Sequence, residues 1–467
     1  MNSPRFALAL AAGKLFAAFC RVFAPKRGSN GPGAVALKLD PRFLKHVRGI
    51  DPAKTVFITG TNGKSTSTNM VVHALKTAGY TVCSNIEGAN MKPGAAAALI
   101  KNTTLSGRFT KEYLILEVDE RSLPFIAEDL KPGHVCVTNI QKDQVQRNGE
   151  PDYIYRKIEA VIDRLDNLTL YLNNDEPRSF ALGWAKGQGP AERATGGERD
   201  KARILRTFGV AQNSRASETE ADWGVSMPCP VCHDALSFSH FNLAGVGAFH
   251  CPSCGFCPGE EPDTLITGVD YEANIFHAAG ETYRLTYPAA FFLYNHALCI
   301  CLCTELGVGP IALETAFETF ENIAGRTETF TYAGKNIKYM RIKQENPETL
   351  QSALDTIADD RGNKAFVLGP AVVDDIVPNY SNTFYTFDCN FSPLTGSGVE
   401  RYICFGNTIA WDTANRLRYA GVPDAELTIL DTDDDMKILD AIAACETKNI
   451  YLITWIKKYE KLKEHVG

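Results

Sequence analysis

The sequence predicts an α/β protein built from two strand–helix domains, and three observations lead to this prediction. Short apolar, β-prone segments alternate with helix-compatible segments from residue 56 onward, which is typical of a parallel sheet covered by helices on both faces. A glycine-containing turn joins the first strand of this series to its first helix. The alternation restarts near residue 330, which indicates a domain boundary there.

The predicted elements fall into two series with an irregular stretch inside the first. In the first series, strands are predicted at residues 56–59, 81–83, 113–118, 135–139, 168–172, 273–278 and 282–287, and helices at 65–77, 95–101, 153–164, 291–306 and 314–320. Residues 183–222 lose the periodicity and are predicted to be irregular and partly helical. The second series has strands at 338–342, 365–368, 401–405, 427–430 and 450–454 and helices at 347–358, 409–420 and 436–444.

The amino-acid composition favours a folded protein of a reducing compartment and disfavours a general nucleic-acid-binding protein. The 467 residues are 45% hydrophobic, which is enough to fill the cores of more than one domain. A net charge of −7 gives no overall basic field for nucleic acid. Fourteen cysteines, four of them spaced like metal ligands, favour a reducing, cytoplasmic compartment.

The first 24 residues contain an apolar stretch that Lys14 and Arg21 interrupt. We predict an amphipathic helix that packs on the following domain, because the charges make a membrane-spanning helix unfavourable. The basic residues Lys14, Arg21, Lys26 and Arg27 leave contact with an anionic membrane at the inner face as an alternative.

Residues 56–69, VFITGTNGKSTSTN, have the pattern of a phosphate-binding loop. In such a loop the backbone N–H groups and the helix N-terminus face an anion, the lysine reaches the β/γ-phosphates and the following hydroxyl ligates Mg²⁺. Ile58 stands where the common form has its first glycine, so the segment fits the shorter G-T-N-G-K-S/T form. The alternative is a glycine turn that happens to precede a lysine. The predicted ATP-binding residues are Thr59, Gly60, Thr61, Asn62, Gly63, Lys64, Ser65 and Thr66.

Acidic and amide side chains follow the next predicted strands. Glu117 interrupts an apolar strand, where an unpaired charge is costly, and is predicted to hold Mg²⁺ together with Ser65. For Asp119 and Glu120, a solvent-facing loop position is the better prediction. Two further strands end in Thr138-Asn139, with Asp143 and Gln144 behind it, and in Asn173-Asn174-Asp175. Because carboxyl ends of parallel strands share one edge of the sheet, these groups are expected to surround the loop.

Two Cys-x-x-Cys motifs separated by eighteen residues predict a zinc ribbon. The four predicted ligands of Zn²⁺ are Cys229, Cys232, Cys251 and Cys254. Four thiolates leave no open coordination position, so we expect a structural rather than a catalytic ion. Nucleic-acid binding is the other usual role of such ribbons, and the shortage of Lys and Arg between the motifs counts against it.

The order of these motifs resembles the Mur ligase superfamily. The segments TGTNGKST, YLILEVDE, VTNIQKDQ, LNNDEP, YNHALC and GRTE carry the resemblance, and the inserted Cys₄ ribbon makes the chain similar to MurT-type synthetase subunits of lipid II isoglutaminyl synthase. The resemblance implies an N-terminal helix and linker at residues 1–50. It also implies a Mur-ligase-type ATPase domain at 51–330 with the ribbon at about 222–262, and a smaller Rossmann-like α/β domain at 331–467.

The resemblance also implies a reaction and a partner. MurT-type subunits amidate the D-glutamate α-carboxylate of the lipid II stem peptide through an acyl phosphate, with ammonia from a GatD-type glutaminase subunit. It assigns Asn295 to adenine or ribose and Arg326 to phosphate, and it keeps Lys64 and Glu117 as catalytic residues.

One segment departs from the MurT pattern. Relatives have D-x-S-W-x-W-D where this chain has Asn382-Thr-Phe-Tyr-Thr-Phe-Asp388, so Asn382 stands where an aspartate is thought to complete the partner's glutaminase triad. An asparagine does not stabilise an imidazolium as a carboxylate does. Asp374, Asp375 or Asp388 could supply the carboxylate instead, the alignment could be shifted, or the coupling to the partner could differ.

Two other functions remain open from the sequence. The chain could be a Mur-like ligase that adds an amino acid to another acidic substrate, for which a glutaminase partner and an aspartate at position 382 are unnecessary. It could also be a zinc-ribbon interaction protein with a regulatory nucleotide site, although the intact Lys64, Ser65 and Glu117 weigh against this.

Overall fold

The computed structural model describes ten stretches of the chain, which form two compact units. The described residues are 3–23, 28–86, 89–142, 150–184, 203–218, 227–321, 327–342, 346–370, 386 and 388–466. The first unit comprises Met1–Gln141, Gly149–Thr219 and Ser226–Glu321, and the second comprises Lys142–Asn148, Glu220–Val225 and Asn322–Gly467. Residue 330, at the boundary expected from the sequence, lies within a strand of the second unit.

The first unit contains eleven strands and ten helices within the described stretches. The strands are β1 Thr55–Thr59, β2 Val82–Ser84, β3 Tyr113–Glu117, β4 His134–Val137, β5 Leu168–Asn173, β6 Arg203–Val210, β7 Ser237–Leu243, β8 Val246–His250, β9 Thr264–Asp270, β10 Ile275–Ala278 and β11 Glu281–Arg284. The helices are α1 Pro4–Phe23, α2 Gly31–Leu39, α3 Phe43–His46, α4 Lys64–Thr77, α5 Lys92–Lys101, α6 Leu123–Leu130, α7 Pro151–Ile162, α8 Pro177–Ala181, α9 Ala290–Glu305 and α10 Pro310–Thr319.

Nine of these strands form one sheet in the order β11-β10-β9-β6-β5-β4-β1-β3-β2. Successive residues of β1 face opposite sides, with Phe57 in the core under α5, α6 and α7, and Val56 and Ile58 in the core under α4, α9 and α10. The prediction of a sheet covered on both faces is therefore confirmed. Seven neighbouring strands of this sheet, in the order β2-β3-β1-β4-β5-β6-β9, pair in parallel. This brings their carboxyl ends to one edge.

Two predictions about this sheet are wrong. Residues 203–210, predicted to be irregular, form β6, which pairs with β5 and β9 inside the sheet. The sheet is also mixed, because β9, β10 and β11 pair antiparallel. A turn of only two residues joins β10 to β11, and a connection that short can join only antiparallel neighbours.

The N-terminal helix α1 packs against α2 and α5, as predicted. Its buried residues are Phe6, Ala9, Leu10, Gly13 and Cys20. The mean hydropathy of its most apolar 18-residue window is 1.7, so length and composition alone would let α1 cross a membrane. One face of α1 is buried by α2 and α5, so part of its apolar surface is already covered by the first unit.

The second unit is a smaller α/β fold around a six-stranded sheet in the order β12-β13-β17-β14-β15-β16. Its strands are β12 Thr327–Tyr332, β13 Lys335–Met340, β14 Lys364–Gly369, β15 Val399–Phe405, β16 Leu427–Leu430 and β17 Asn449–Thr454. Its helices are α11 Pro347–Asp359, α12 Thr408–Tyr419, α13 Asp435–Ala443 and α14 Ile456–Glu464. The strand–helix series predicted after residue 330 is confirmed, and the structure adds the antiparallel edge strand β12 and the final helix α14, neither of which was predicted.

Candidate functional site

The loop between β1 and α4 is shaped by two glycines with positive φ. Gly60 has φ 117°, and a Cβ there would lie 2.4 Å from Oγ1 of Thr138 and 2.8 Å from the carbonyl oxygen of Asn139. Gly63 has φ 80°, and a Cβ there would lie 2.5 Å from Oδ1 of Asn295. Both positions therefore require glycine, for the turn and for the close approach of neighbouring groups.

Residues after β4 hold this loop from one side. The backbone N–H of Thr61 donates to the carbonyl of Asn139 at 2.8 Å, and the N–H of Asn62 donates to Oδ1 of Asn139 at 2.9 Å. The side-chain amide of Asn62 donates to Oε1 of Gln141 at 3.0 Å, and the N–H of Gln141 donates to Oγ1 of Thr61 at 2.9 Å. Hydrogen bonds donated by the loop and accepted by it thus connect it to the segment that follows β4.

Lys64 opens α4 and is 6% exposed. Its ammonium lies 2.8 Å from Oε1 of Glu120 and donates to the carbonyls of Thr61, at 2.9 Å, and of Gly60. The expectation that Asp119 and Glu120 face solvent is wrong, since both are buried. A buried cation needs a nearby opposite charge, and Glu120, fifty-six residues further along the chain, supplies it.

Glu117 lies at the end of β3, beside Ile58 of β1 in the parallel register. Its backbone exchanges hydrogen bonds with the side chain of Asn85, and its Oε1 accepts from Nδ2 of Asn90 at 3.2 Å. The sequence reasoning did not select either asparagine. Of the other predicted residues, Ser65 is exposed at the helix start, while Thr59 and Thr66 are buried.

Asn295 lies on α9 and is brought to the loop by the packing of α9 on α4. Its Oδ1 accepts from Oγ of Ser67 at 3.1 Å, and its Nδ2 is buried without a hydrogen-bond partner among the described residues. A buried amide with one unused donor is costly unless something accepts from it. The amide of Asn295 therefore has one donor that no described residue uses, in a side chain that lies beside Gly63.

Asp175 follows β5 and is buried beside the loop-bearing edge. Burial raises its pKa to about 6, although hydrogen bonds from the N–H of Val210 (2.8 Å) and the hydroxyl of Tyr294 (2.9 Å) oppose that rise. Tyr294 precedes Asn295 on α9, so this carboxylate ties the β5 and β6 strand ends to the helix that carries Asn295. The neighbouring Asn173 donates to the carbonyl of Thr138 at 3.1 Å.

The four predicted metal ligands lie together. The sulfurs of Cys229 and Cys254 are 3.7 Å apart, those of Cys232 and Cys251 are 3.5 Å apart, and all four lie within 4.8 Å of one another. A tetrahedral ion with Zn–S bonds of about 2.3 Å would space its sulfurs by about 3.8 Å. The cluster therefore has the donors and the spacing for a divalent ion, and Phe180 of α8 packs in the same small core.

In the second unit, Asp388 is described and its carboxylate pairs with Lys142, whose ammonium lies 3.4 Å from both oxygens. The buried guanidinium of Arg416 fixes the same segment by donating to the carbonyls of Thr386, at 3.1 Å, and of Cys389. The remaining predicted or discussed residues lie outside the described stretches: Lys26, Arg27, Asp143, Gln144, Arg326, Asp374, Asp375 and Asn382.

Two protein families match the chain. Residues 58–230 match the Mur ligase middle domain, and residues 344–456 match the MurT ligase C-terminal domain. The first match includes the glycine loop, Glu117 and the first cysteine of the cluster. The second lies within the smaller unit and includes Asp388.

Curated relatives match most of the chain. The MurT subunit of lipid II isoglutaminyl synthase (glutamine-hydrolyzing) from Staphylococcus aureus strain COL is 27% identical over 399 residues, which are 85% of this chain and 84% of that protein. The same subunit from Streptococcus pneumoniae is 27% identical over 441 residues, which are 91% of this chain and 90% of that protein.

Solved structures share the fold at low identity. A pseudomurein peptide ligase type C from Methanothermus fervidus aligns with a TM-score of 0.64 and 17% identity, covering 91% of this chain and 80% of that one. MurF from Thermotoga maritima in complex with ADP aligns with a TM-score of 0.54 and 14% identity, covering 92% of this chain and 84% of that one. These likenesses concern the fold alone.

We predict that Tyr294→Phe destabilises the protein more at about pH 7.5 than at about pH 5. The raised pKa of Asp175 means that folding favours its protonated form, so stability falls as the pH rises from about 4 through about 6. Above that range the Tyr294 hydroxyl donates to a carboxylate, a bond worth about 1.5–3 kcal/mol; below it the partner is neutral and the bond is worth about 0.5–1.5 kcal/mol.

Denaturant unfolding at both pH values measures this difference. The control is Tyr283→Phe, which removes a hydroxyl that pairs with no described residue and should give the same small change at both pH values. Equal losses for Tyr294→Phe at the two pH values would contradict the assigned role of Asp175.

Proposed function

Because the chain belongs to the Mur ligases and joins their middle domain to a MurT ligase C-terminal domain, we propose that it is an amide-forming synthetase subunit. In this proposal it amidates the α-carboxylate of D-glutamate in the lipid II stem peptide, which converts that residue to D-isoglutamine. The observation that carries the proposal is the combination of both domains in one chain with similarity to MurT subunits over 85–91% of its length.

The proposed reaction has two steps. The carboxylate attacks the γ-phosphorus of ATP, forming an acyl phosphate and releasing ADP. Ammonia then attacks the acyl carbon, the C–O bond to phosphate breaks, and the products are the amide and inorganic phosphate after loss of a proton. Positioning and neutralisation of charge supply most of the acceleration in phosphoryl transfer of this kind.

The glycine loop supports the nucleotide part of the proposal. Gly60 and Gly63 allow the tight turn that sets this loop against the end of β4 and against Asn295, and the N-terminus of α4 presents backbone N–H groups with a favourable dipole. Lys64 would pair with the β/γ-phosphates, and Asn295 and Arg326 would contact the nucleoside and a phosphate. Ser65 and Glu117 would hold Mg²⁺, which supplies charge neutralisation at the transferred phosphoryl group.

The cysteine cluster supports a structural zinc ion. Its four sulfurs have the identity and spacing of a closed tetrahedral site, and such a site stabilises a fold without taking part in the reaction. The hairpin β7–β8 lies between the two cysteine pairs, and Asn242 on it donates to the carbonyl of Val210 at 2.8 Å. Zinc would thus stabilise the segment that packs beside the Asp175 network.

The named relatives are subunits of a glutamine-hydrolyzing synthase, which supports a GatD-type glutaminase as the source of ammonia in a heterodimer. Asn382 in place of the expected aspartate favours the second candidate, a Mur-like ligase that adds an amino acid without a glutaminase. The nitrogen source therefore distinguishes the two functions.

We predict that the purified chain hydrolyses ATP in the presence of lipid II and ammonium and forms amidated lipid II, detected by mass spectrometry. Lys64→Met should lower turnover by about 100- to 1000-fold, because the charge that stabilises the phosphoryl group is lost. Lys76→Met, at the other end of α4 and exposed, is the matched control and should retain activity. Turnover with an amino acid but with no ammonium or glutamine would favour the second candidate.

We predict that Asp388→Asn separates the two nitrogen sources. If Asp388 supplies the triad carboxylate, glutamine-dependent amidation with a GatD-type subunit should fall by about 100-fold or more, while ammonium-dependent amidation changes little. The companion variant Asn382→Ala should leave both rates unchanged. Loss of only the glutamine-dependent rate in Asn382→Ala would instead assign the coupling with the glutaminase to position 382. If neither variant loses this rate, Asp374 and Asp375 are the next candidates for the triad carboxylate.

We predict about one zinc ion per wild-type chain by elemental analysis, as expected for a closed Cys₄ site. Cys254→Ser should lose the ion and lower the unfolding temperature. Cys257→Ser changes a cysteine three residues away that is not among the four clustered sulfurs. This variant should keep the zinc ion and the wild-type unfolding temperature. Full zinc content in Cys254→Ser would argue against this site.

A further inference from the structure

Helix α1 has an exposed apolar face that the proposed reaction does not explain. Leu8, Leu15, Phe19, Val22 and Phe23 are between 51% and 73% exposed. The spacings from Leu8 to Leu15, Phe19 and Val22 are seven, eleven and fourteen residues, so these side chains lie along one side of the helix. We call these five residues the outer face of α1.

The opposite side of α1 is fully packed. Phe6 stacks on Phe43 with ring centroids 5.2 Å apart, and Leu10 and Gly13 are buried, with Gly13 directly against Ile100. The ammonium of Lys14 donates to the carbonyl of Ile100 at 2.9 Å. A helix held in this way by its own unit does not cross a bilayer with all its sides in lipid. Its outer face can still lie in the plane of a membrane surface.

Helix α1 and the two helices that pack most closely on it carry basic residues and no acidic ones. Helices α1, α2 and α5 pack on one another and contain no Asp or Glu, although the chain carries a net charge of −7. Their basic residues are Arg5, Lys14, Arg21, Lys38, Lys92 and Lys101. Lys92 is paired with Asp129 at 2.8 Å. An apolar face on a helix layer without acidic residues is complementary to the surface of an anionic bilayer.

We propose that the outer face of α1 inserts into the headgroup region of an anionic membrane and anchors the protein there peripherally. The aromatic rings of Phe19 and Phe23, 5.1 Å apart, lie in the last two turns of the helix next to Arg21. Apolar side chains beside an exposed basic residue bind such membranes through burial and electrostatic attraction together. The inference rests on α1 and its neighbours and does not require the proposed amidation.

Flotation of the full chain with phosphatidylcholine vesicles containing about 30% phosphatidylglycerol tests the proposal. The vesicles contain no lipid II, so the result is independent of the proposed function. Wild type should float with these vesicles, and about 0.5 M salt should reduce the bound fraction several-fold. The double variant Leu15→Glu/Phe19→Glu should bind at least about tenfold more weakly, because it replaces two inserted apolar side chains with anions.

The matched control is Ile311→Glu, which changes an apolar side chain that is 78% exposed on α10. It should float like wild type. All three proteins should unfold at similar temperatures, since each change is at an exposed position. Absence of flotation for wild type, or equal flotation of wild type and the double variant, overturns the proposal. A wild-type dimer that the double variant converts to monomers also overturns it and assigns the outer face to a second copy of the chain.

Discussion

The close approach of the backbone at Gly60 to the end of β4 is the constraint on which the glycine loop between β1 and α4 depends. A side chain there would collide with Thr138 and Asn139, and it is the carbonyl and Oδ1 of Asn139 that accept the hydrogen bonds holding Thr61 and Asn62. The same packing directs the chain into α4 with Lys64 at its first position. Because β1 and β4 are parallel neighbours, the loop, the β4 end and the β5 end are brought together by the sheet itself.

Charges in this region are placed by the fold rather than by local sequence. Lys64 and Glu120 are both buried and meet only because β1 and β3 pair in parallel. Asp175 is buried with no cationic partner among the described residues, and this burial raises its pKa although hydrogen bonds stabilise the carboxylate. At the loop-bearing edge, Glu120 thus compensates the charge of Lys64, whereas hydrogen bonds alone among the described residues stabilise the carboxylate of Asp175.

Sequence patterns were sufficient where one segment determines its own structure. The order strand, glycine turn, helix predicts the loop, and two Cys-x-x-Cys motifs predict the sulfur cluster, since each depends on residues close in sequence. Strand β6 was missed because it lies between long stretches without periodicity, and its pairing with β5 and β9 comes from distant residues. The burial of Glu120 was missed for the same reason, because a partner fifty-six residues away cannot be inferred from the strand ending alone.

The pairing of Lys64 with Glu120 also constrains how a phosphate can bind. A polyanion that approaches Lys64 also approaches Glu120 and, at the end of the same strand, Glu117, and in a buried site this repulsion is only weakly screened. Displacing Glu120 alone would leave a carboxylate with no cation in a dry environment, which is costly. A divalent ion that arrives with the phosphates compensates both carboxylates and the polyanion at once. The charge arrangement thus gives a physical reason for the proposal that a nucleotide enters this loop together with Mg²⁺ rather than alone.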